Sequence, residues 1–302
     1  MKIAFLISAH TDAPQLKRLI NALPDESHFF VHIDRKSDIA PFKQLMADDN
    51  RVHFLPDRVD VRWGTILQVE YQMQLIKAAL DFPMHFDRLM TLSGLDYPLW
   101  SNSQIVDFFE KNADKEYISG FDMATEGVPD ENTIIYRVPR PFFSWSFLSN
   151  KRNQQLSIIC RKAAYHTGIR KSLILPNGMH LYKGASWWSI SEGLAQYIYD
   201  TYQGDKTIYH YFKDSFGQDE TLIQTIAFNS TRWKDRCILF KGHYPGLIAL
   251  TPLHFIVYDG AISIWTEKDL GTLMKSGKMF TRKLTSEKSR KLIEQIDYLR
   301  RS

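Results

Sequence analysis

Cysteine is scarce in this chain. Cys160 and Cys237 match no metal-ligand or redox spacing, which points to a reduced compartment. Glycine-rich phosphate loops are missing as well: neither G-x-G-x-x-G nor G-x-x-x-x-G-K occurs, which argues against dinucleotide oxidoreductases and P-loop enzymes. No apolar run approaches the roughly 20 residues that span a bilayer. The opening run Met1–Ile7 is too short for the apolar core of a signal peptide, since polar Ser8, His10 and Asp12 follow at once. A soluble protein is therefore expected. The formal net charge of +4 is too mild for a dedicated nucleic-acid binder, although it suits an anionic substrate. There is no internal repeat and no low-complexity segment.

What is present fits one α/β unit. The 302 residues are 44% apolar and 13% aromatic, enough for a large core with aromatics left over for a cleft. Ile3–Ile7, Phe29–Ile33, Val52–Leu55 and Arg88–Leu92 read as short buried strands. Between them, Pro14 opens a helix with Leu16, Leu19, Ile20 and Leu23 on one face, and a longer helix runs over Thr65–Leu80. Such alternation predicts a Rossmann-like, mostly parallel sheet flanked by helices. Ligands of these folds sit outside the carboxyl ends of the strands. That rule puts Ser8–Asp12, Asp34–Ser37, Arg62–Gly64 and Ser93–Tyr97 along one polar rim.

The second half is less regular. Gly120–Thr133 reads as a polar surface loop, including the acidic triplet at 129–131. Tyr136–Phe147 sets aromatics beside Arg137 and Arg140, either as core or as a platform for sugar rings. Lys151–Tyr165 reads as a basic helix with a solvated face. Leu181–Ile190 reads as a strand bearing a Lys183-Gly-Ala-Ser turn and adjacent Trp187 and Trp188, whose side chains should point to opposite faces. Ser191 is placed to cap the helix that follows. In Phe216–Ser230, Asp219 and Glu220 precede Leu222, Ile223, Ile226, Ala227 and Phe228 at helical spacing, so they should occupy a helix's first turn. Acids are favoured there on electrostatic grounds alone, so capping and catalysis both remain open. The stretch Ser286–Arg301 reads as an amphipathic basic helix with Leu292, Ile293, Ile296 and Leu299 inward. It is expected to dock on the domain, with peripheral contact to anionic lipid as the alternative.

Two bland alternatives stand beside these readings. His10, His32 and Asp34 fall on neighbouring strand ends and would suit a hydrolase metal site, or Asp34 simply caps a turn. Lys283 is one cation in a basic tail.

Six stretches occur in one order: His32–Ser37, Val61–Gly64, Leu92–Leu99, Lys183–Trp188, Phe216–Glu220 and Met279–Lys283. Together they resemble the core-2/I-branching β-1,6-N-acetylglucosaminyltransferase family, glycosyltransferase family 14, which also holds xylosyl- and glucuronosyltransferases. The short chain without an apparent anchor resembles its bacterial members rather than the Golgi enzymes. The resemblance implies a single GT-A-like catalytic domain over 1–302, with a nucleotide-binding half (1–120), an acceptor and catalytic half (121–285) and a basic C-terminal helix (286–302). It implies an inverting, metal-independent transfer from a UDP-sugar to a glycan or glycolipid hydroxyl, with no cofactor, no metal and no nucleic-acid partner. N-acetylglucosamine is the first expectation for the donor sugar. UDP-xylose or UDP-glucuronate transfer, or a non-catalytic nucleotide- or glycan-binding protein, are the alternatives. Glu220 maps to the catalytic base, and Arg282 and Lys283 to the diphosphate clamp. His10, Asp34, Arg62, Trp63, Gly64, Ser93 and Asp96 fall on the donor side, and Lys183, Trp187, Trp188 and Asp219 on the acceptor side. The stretch Asp259–Ser263 lacks a second diphosphate arginine that animal members carry, with Lys268, Lys275 or Arg282 as the candidate substitutes. A cytoplasmic location, peripheral at the inner face of the membrane, follows from the same comparison.

Overall fold

The computed structural model describes residues 1–125, 130–140, 143, 147–242 and 244–301. The first half runs β1 (Ile3–Ala9), α1 (Ala13–Asn21), β2 (His28–Ile33), α2 (Ala40–Leu45), β3 (Val52–Phe54), α3 (Leu67–Leu80), β4 (Arg88–Ser93), β5 (Asp96–Pro98) and α4 (Asn102–Lys111). The second half begins with β6 (Ser119–Asp122), α5 (Asp130–Arg137), α6 (Asn150–His166), β7 (Tyr182–Gly184), β8 (Ser189–Ile190), α7 (Glu192–Gly204) and α8 (Lys206–Phe212). A 3-10 turn, Gln218–Glu220, then leads into α9 (Leu222–Asn229) and β9 (Ile238–Phe240). The chain closes with α10 (Leu247–Leu250), β10 (His254–Ile256), the hairpin β11 (Tyr258–Asp259) and β12 (Ala261–Ile262), α11 (Leu270–Lys275), β13 (Phe280–Arg282) and α12 (Arg290–Arg301).

The main sheet has the order β3-β2-β1-β4-β8, parallel except for β8, which runs antiparallel to β4. The alternation of β1 serves two cores. Ile3, Phe5 and Ile7 pack with Leu16, Leu19 and Ile20 of α1, while Ala4 and Leu6 pack with Met73 and Ile76 of α3. Each buried Ile, Leu, Phe or Met among them contributes about 1.5–3 kcal/mol. Local signals place the helices: Asp12 accepts the Gln15 N–H at the start of α1, Ser101 and Gln104 form a capping box on α4, and Ser191 caps α7 as expected. Two smaller sheets, β10-β13-β5 and β7-β6-β9, flank the rim.

Four expectations change. Leu181–Ile190 is not one strand: β7 pairs with β6, whereas β8 pairs with β4, and the tryptophans lie on the link between them. The acids occupy the separate 3-10 turn because Gly217 enters it at φ 63° and Thr221 breaks it at φ −129°. Within the supposed loop 120–133, Ser119–Asp122 is a strand and Asp130–Arg137 a helix, so the triplet at 129–131 leads into α5, although residue 129 lies outside the described residues. The tail helix docks through Leu292, Ile293 and Ile296 against Tyr97, Leu99 and Trp265, but Leu299 is exposed rather than inward. Arg300 fastens it by donating to the carbonyls of Trp100 and Ala22 and to Asn102. No helix among the described residues is long and apolar enough to cross a membrane.

A buried carboxylate joins the halves. Glu116 accepts the Ser191 N–H and Oγ–H at 2.7 and 2.6 Å and lies 3.6 Å from Arg88 Nη1, with both side chains out of water. Glu116→Ala leaves that guanidinium buried without its counter-ion, and urea unfolding should show a loss of about 3–5 kcal/mol. A loss below about 1 kcal/mol would contradict this account of the junction.

Candidate active site

The carboxyl ends of β1 and β4 open onto a cleft of ≈ 1140 Å³, where the strand-end rule places a ligand. Ser8, Thr91 and Ser93 supply its sheet side, and Gln68, Tyr71 and Gln72 of α3 form one wall. Tyr136 of α5, Lys183, Ser186, Trp187, Asp219 and Glu220 line it from the second half, and Arg282 and Lys283 line it as well.

Glu220 is held by one oxygen only. Its Oε2 accepts from Lys183 Nζ at 2.7 Å and from Tyr136 Oη at 3.4 Å. Its Oε1 accepts no hydrogen bond from the described residues, and the side chain is 33% exposed. That oxygen is therefore the one open to a proton. Burial disfavours a charged Lys183, yet Glu220 and Tyr136 outweigh it and raise the ammonium pKa. Gly217 makes room here, because a Cβ at that position would stand 3.0 Å from Tyr136 Cε1.

Asp219 does a different job. Its Oδ2 accepts from Ser186 Oγ at 2.6 Å and from Gln68 Nε2 at 3.0 Å, tying the acidic turn to the β7–β8 link and to α3. It makes no cap on α9. Burial, and then the charge of Glu220, push its pKa up to about 6.

The cation side is built around Asp96. This fully buried carboxylate accepts from Ser93 N–H and Oγ at 2.8 Å each, from Arg282 Nη1 at 3.1 Å and from Trp187 Nε1 at 3.2 Å. Burial alone would raise its pKa, but His254 and Arg282 hold it below the ordinary value. The Arg282 guanidinium also lies 5.4 Å from the Trp187 ring centroid. Among the described residues no carboxylate pairs with Lys283, whose pKa is lowered by burial and then by the neighbouring Arg282 charge.

Of the expected site residues, Trp63, Ser93, Lys183, Trp187, Asp219, Glu220, Arg282 and Lys283 line the cleft. Trp188 does not: it is 1% exposed, because the link turns the second tryptophan into the core beneath Thr91. Gly64 stands behind the lining, at φ 69°, where a Cβ would meet the Phe216 ring at 2.5 Å. Arg62 reaches back to the Phe143 carbonyl and to Asp60. Asp34 accepts the Lys36 N–H and pairs with its ammonium, so it does cap its own turn. His10 sits beside the cations, and its pKa is lowered by burial and by Arg282. His32 accepts the Val59 N–H, and no group of three or more His, Cys, Asp or Glu among the described residues is placed to hold a metal. Part of the stretch Tyr136–Phe147 (141, 142 and 144–146) lies outside the described residues. Sequence patterning missed Gln68, Ser186 and His254 as site residues, while Tyr136 opened the stretch read either as core or as a platform for sugar rings. Ser186 carried a signal, standing inside the Lys183–Trp188 stretch.

A model of the family described as "Branch: Core-2/I-Branching enzyme" matches residues 3–128 and 142–245. The chain belongs to this family. Human Xylosyltransferase 2 is 25% identical over 203 residues, which make up 66% of this chain and 21% of that protein. Xylosyltransferase oxt of Drosophila melanogaster is 21% identical over 237 residues, 76% of this chain and 24% of that protein. The chain thus spans about a fifth to a quarter of the length of these curated relatives. Among solved structures, 4-diphosphocytidyl-2C-methyl-D-erythritol synthase from Anaerococcus prevotii aligns over 80% of this chain and 87% of its own. Its TM-score of 0.38 at 12% identity carries no argument. The family match stops short of Arg282 and Lys283, so their place in the cleft rests on geometry.

Asp219 gives the site a pH signature. Its pKa of about 6 stands above the usual carboxylate value, so its contribution to stability is full near pH 4 and is lost as pH rises through 6. Asp219→Asn should therefore gain on the wild type by about 1–3 kcal/mol between pH 4 and pH 7. Urea unfolding at several pH values measures the difference, and a pH-independent one would refute the reading.

Proposed function

We propose that this chain is an inverting glycosyltransferase that moves a sugar from a UDP-sugar to a hydroxyl of a glycan acceptor without a metal ion. The observation that carries this reading is that one open carboxylate oxygen, Glu220 Oε1, shares a single cleft with the cations Arg282 and Lys283. In an inverting transfer the acceptor hydroxyl attacks the anomeric carbon from the face opposite the departing diphosphate. The hydroxyl loses its proton as the bond forms, and Glu220 takes it while Lys183 and Tyr136 hold the carboxylate in place. The diphosphate gains charge as it leaves. Arg282, oriented by Asp96, and Lys283 stabilise that charge with a planar fork and a point charge. Membership in the Core-2/I-Branching enzyme family supports sugar transfer as the reaction class.

N-acetylglucosamine in β-1,6 linkage is one donor reading. The names of the relatives above favour UDP-xylose as the second donor to test.

Glu220→Gln should lower kcat by about 10²–10⁴-fold while leaving UDP affinity within error. Turnover equal to the wild type would remove Glu220 from the mechanism. Lys283→Ala and Arg282→Ala should each weaken UDP binding about 10–100-fold by calorimetry, since each removes a charge-assisted contact. Wild-type binding of UDP should be the same with and without EDTA. A requirement for added metal would overturn the metal-free reading.

A further inference from the structure

A second surface beside the cleft is built of one sign of charge. From residue 132 to residue 191 the sequence holds no Asp or Glu and nine Lys or Arg, although the whole chain carries only +4. The remainder is thus net negative, and the cationic excess is concentrated in this segment. Three of the nine are spent inside the fold: Lys183 on Glu220, Lys171 on Asp214, and Arg137 on the Lys171 carbonyl. Lys151, Arg152 and Lys162 of α6 are exposed, and none of them pairs with a carboxylate among the described residues. Interleaved with them, Ile159, Tyr165 and Ile169 are each half or more exposed. The buried positions of the same helix include Asn153 and Ser157, so α6 turns polar groups inward and leaves large apolar ones in water.

This surface is continuous with the cleft. The guanidinium of Arg161 on α6 lies 5.8 Å from the Phe216 ring centroid, and that of Arg140 lies 5.3 Å from it. Phe216 lines the cleft and packs edge-on to Trp63, which is 73% exposed at the mouth.

We propose that α6 and the turn after it dock on an anionic lipid bilayer, setting the cleft mouth at the membrane interface. Charge complementarity selects the partner. Unpaired lysine and arginine are drawn to anionic headgroups, and exposed isoleucine and tyrosine among them enter the headgroup boundary. A soluble polyanion would use the cations and leave Ile159, Tyr165 and Ile169 in water. The docked helix α12 buries Leu292, Ile293 and Ile296, and its exposed Tyr298 and Leu299 share the helix with the carboxylates Glu294 and Asp297, whereas α6 carries no Asp or Glu. The inference stands apart from the transfer reaction, because vesicle binding needs no donor or acceptor.

Co-sedimentation of the full chain tests it, with vesicles of phosphatidylcholine alone and of phosphatidylcholine mixed with phosphatidylglycerol. Binding is expected only to the mixed vesicles and should fall with added salt. Removing three charges in Lys151→Gln/Arg152→Gln/Lys162→Gln should reduce partitioning on the order of a hundredfold, at about fivefold per cation. Ile159→Ser/Tyr165→Ser should also weaken binding several-fold, with an unchanged circular dichroism spectrum because both side chains face water. Equal partitioning on neutral and anionic vesicles would overturn the proposal. So would a serine variant that binds vesicles like the wild type while dextran sulfate competes fully, since that outcome describes a polyanion site.

Discussion

Asp96 is the constraint on which the cleft depends. A carboxylate with no exposed surface is tolerated only where hydrogen bonds and counter-charge replace its water. Here those partners come from three parts of the chain: Ser93 at the end of β4, Trp187 on the β7–β8 link and Arg282 at the end of β13. Satisfying one buried charge therefore fixes the main sheet, the link that carries Ser186 and Trp187, and the strand that carries the cations. The antiparallel pairing of Asp96 with Arg282 in β5 and β13 places the two side chains in register for this contact.

The acidic turn in the same cleft uses the same device with a different result. Glu220 is also paired with a buried cation, but only through Oε2, and it keeps a third of its side chain in contact with solvent. Asp219 next to it is sealed by Ser186 and Gln68. Adjacent carboxylates thus separate into one that is positioned but open and one that is buried and structural. The 3-10 turn causes the difference, since Gly217 and Thr221 rotate the pair out of a regular helix.

The sheet was legible because its signal is local. Periodicity alone gave β1, β2, β4 and α3 to within a few residues, and the strand-end rule pointed to the rim where the cleft opens. Pairing partners were not legible. Nothing within Leu181–Ile190 says that its two ends belong to different sheets, so Trp188 was expected in the cleft and lies in the core. Asp34 and Arg62 were expected on the donor side, yet their side chains are engaged with Lys36 and Asp60 and do not line the cleft. Tyr136, Gln68 and His254 come together only through long-range packing and carry no pattern of their own. The pair Asp219 and Glu220 was marked by its place before an apolar run, and only the family resemblance chose Glu220 from it, while Lys183 was expected on the acceptor side without that pairing.

The register between β5 and β13 has a consequence for assembly. Arg282 meets Asp96 across 186 positions of sequence, and contacts of such separation form only after the intervening chain has lost most of its freedom. The first half could pair β1, β2 and β4 early, but Asp96 would then wait as an unpaired charge until β13 arrived. The cations at 282 and 283 thus join the cleft late in folding, when the C-terminal segment inserts a strand beside β5.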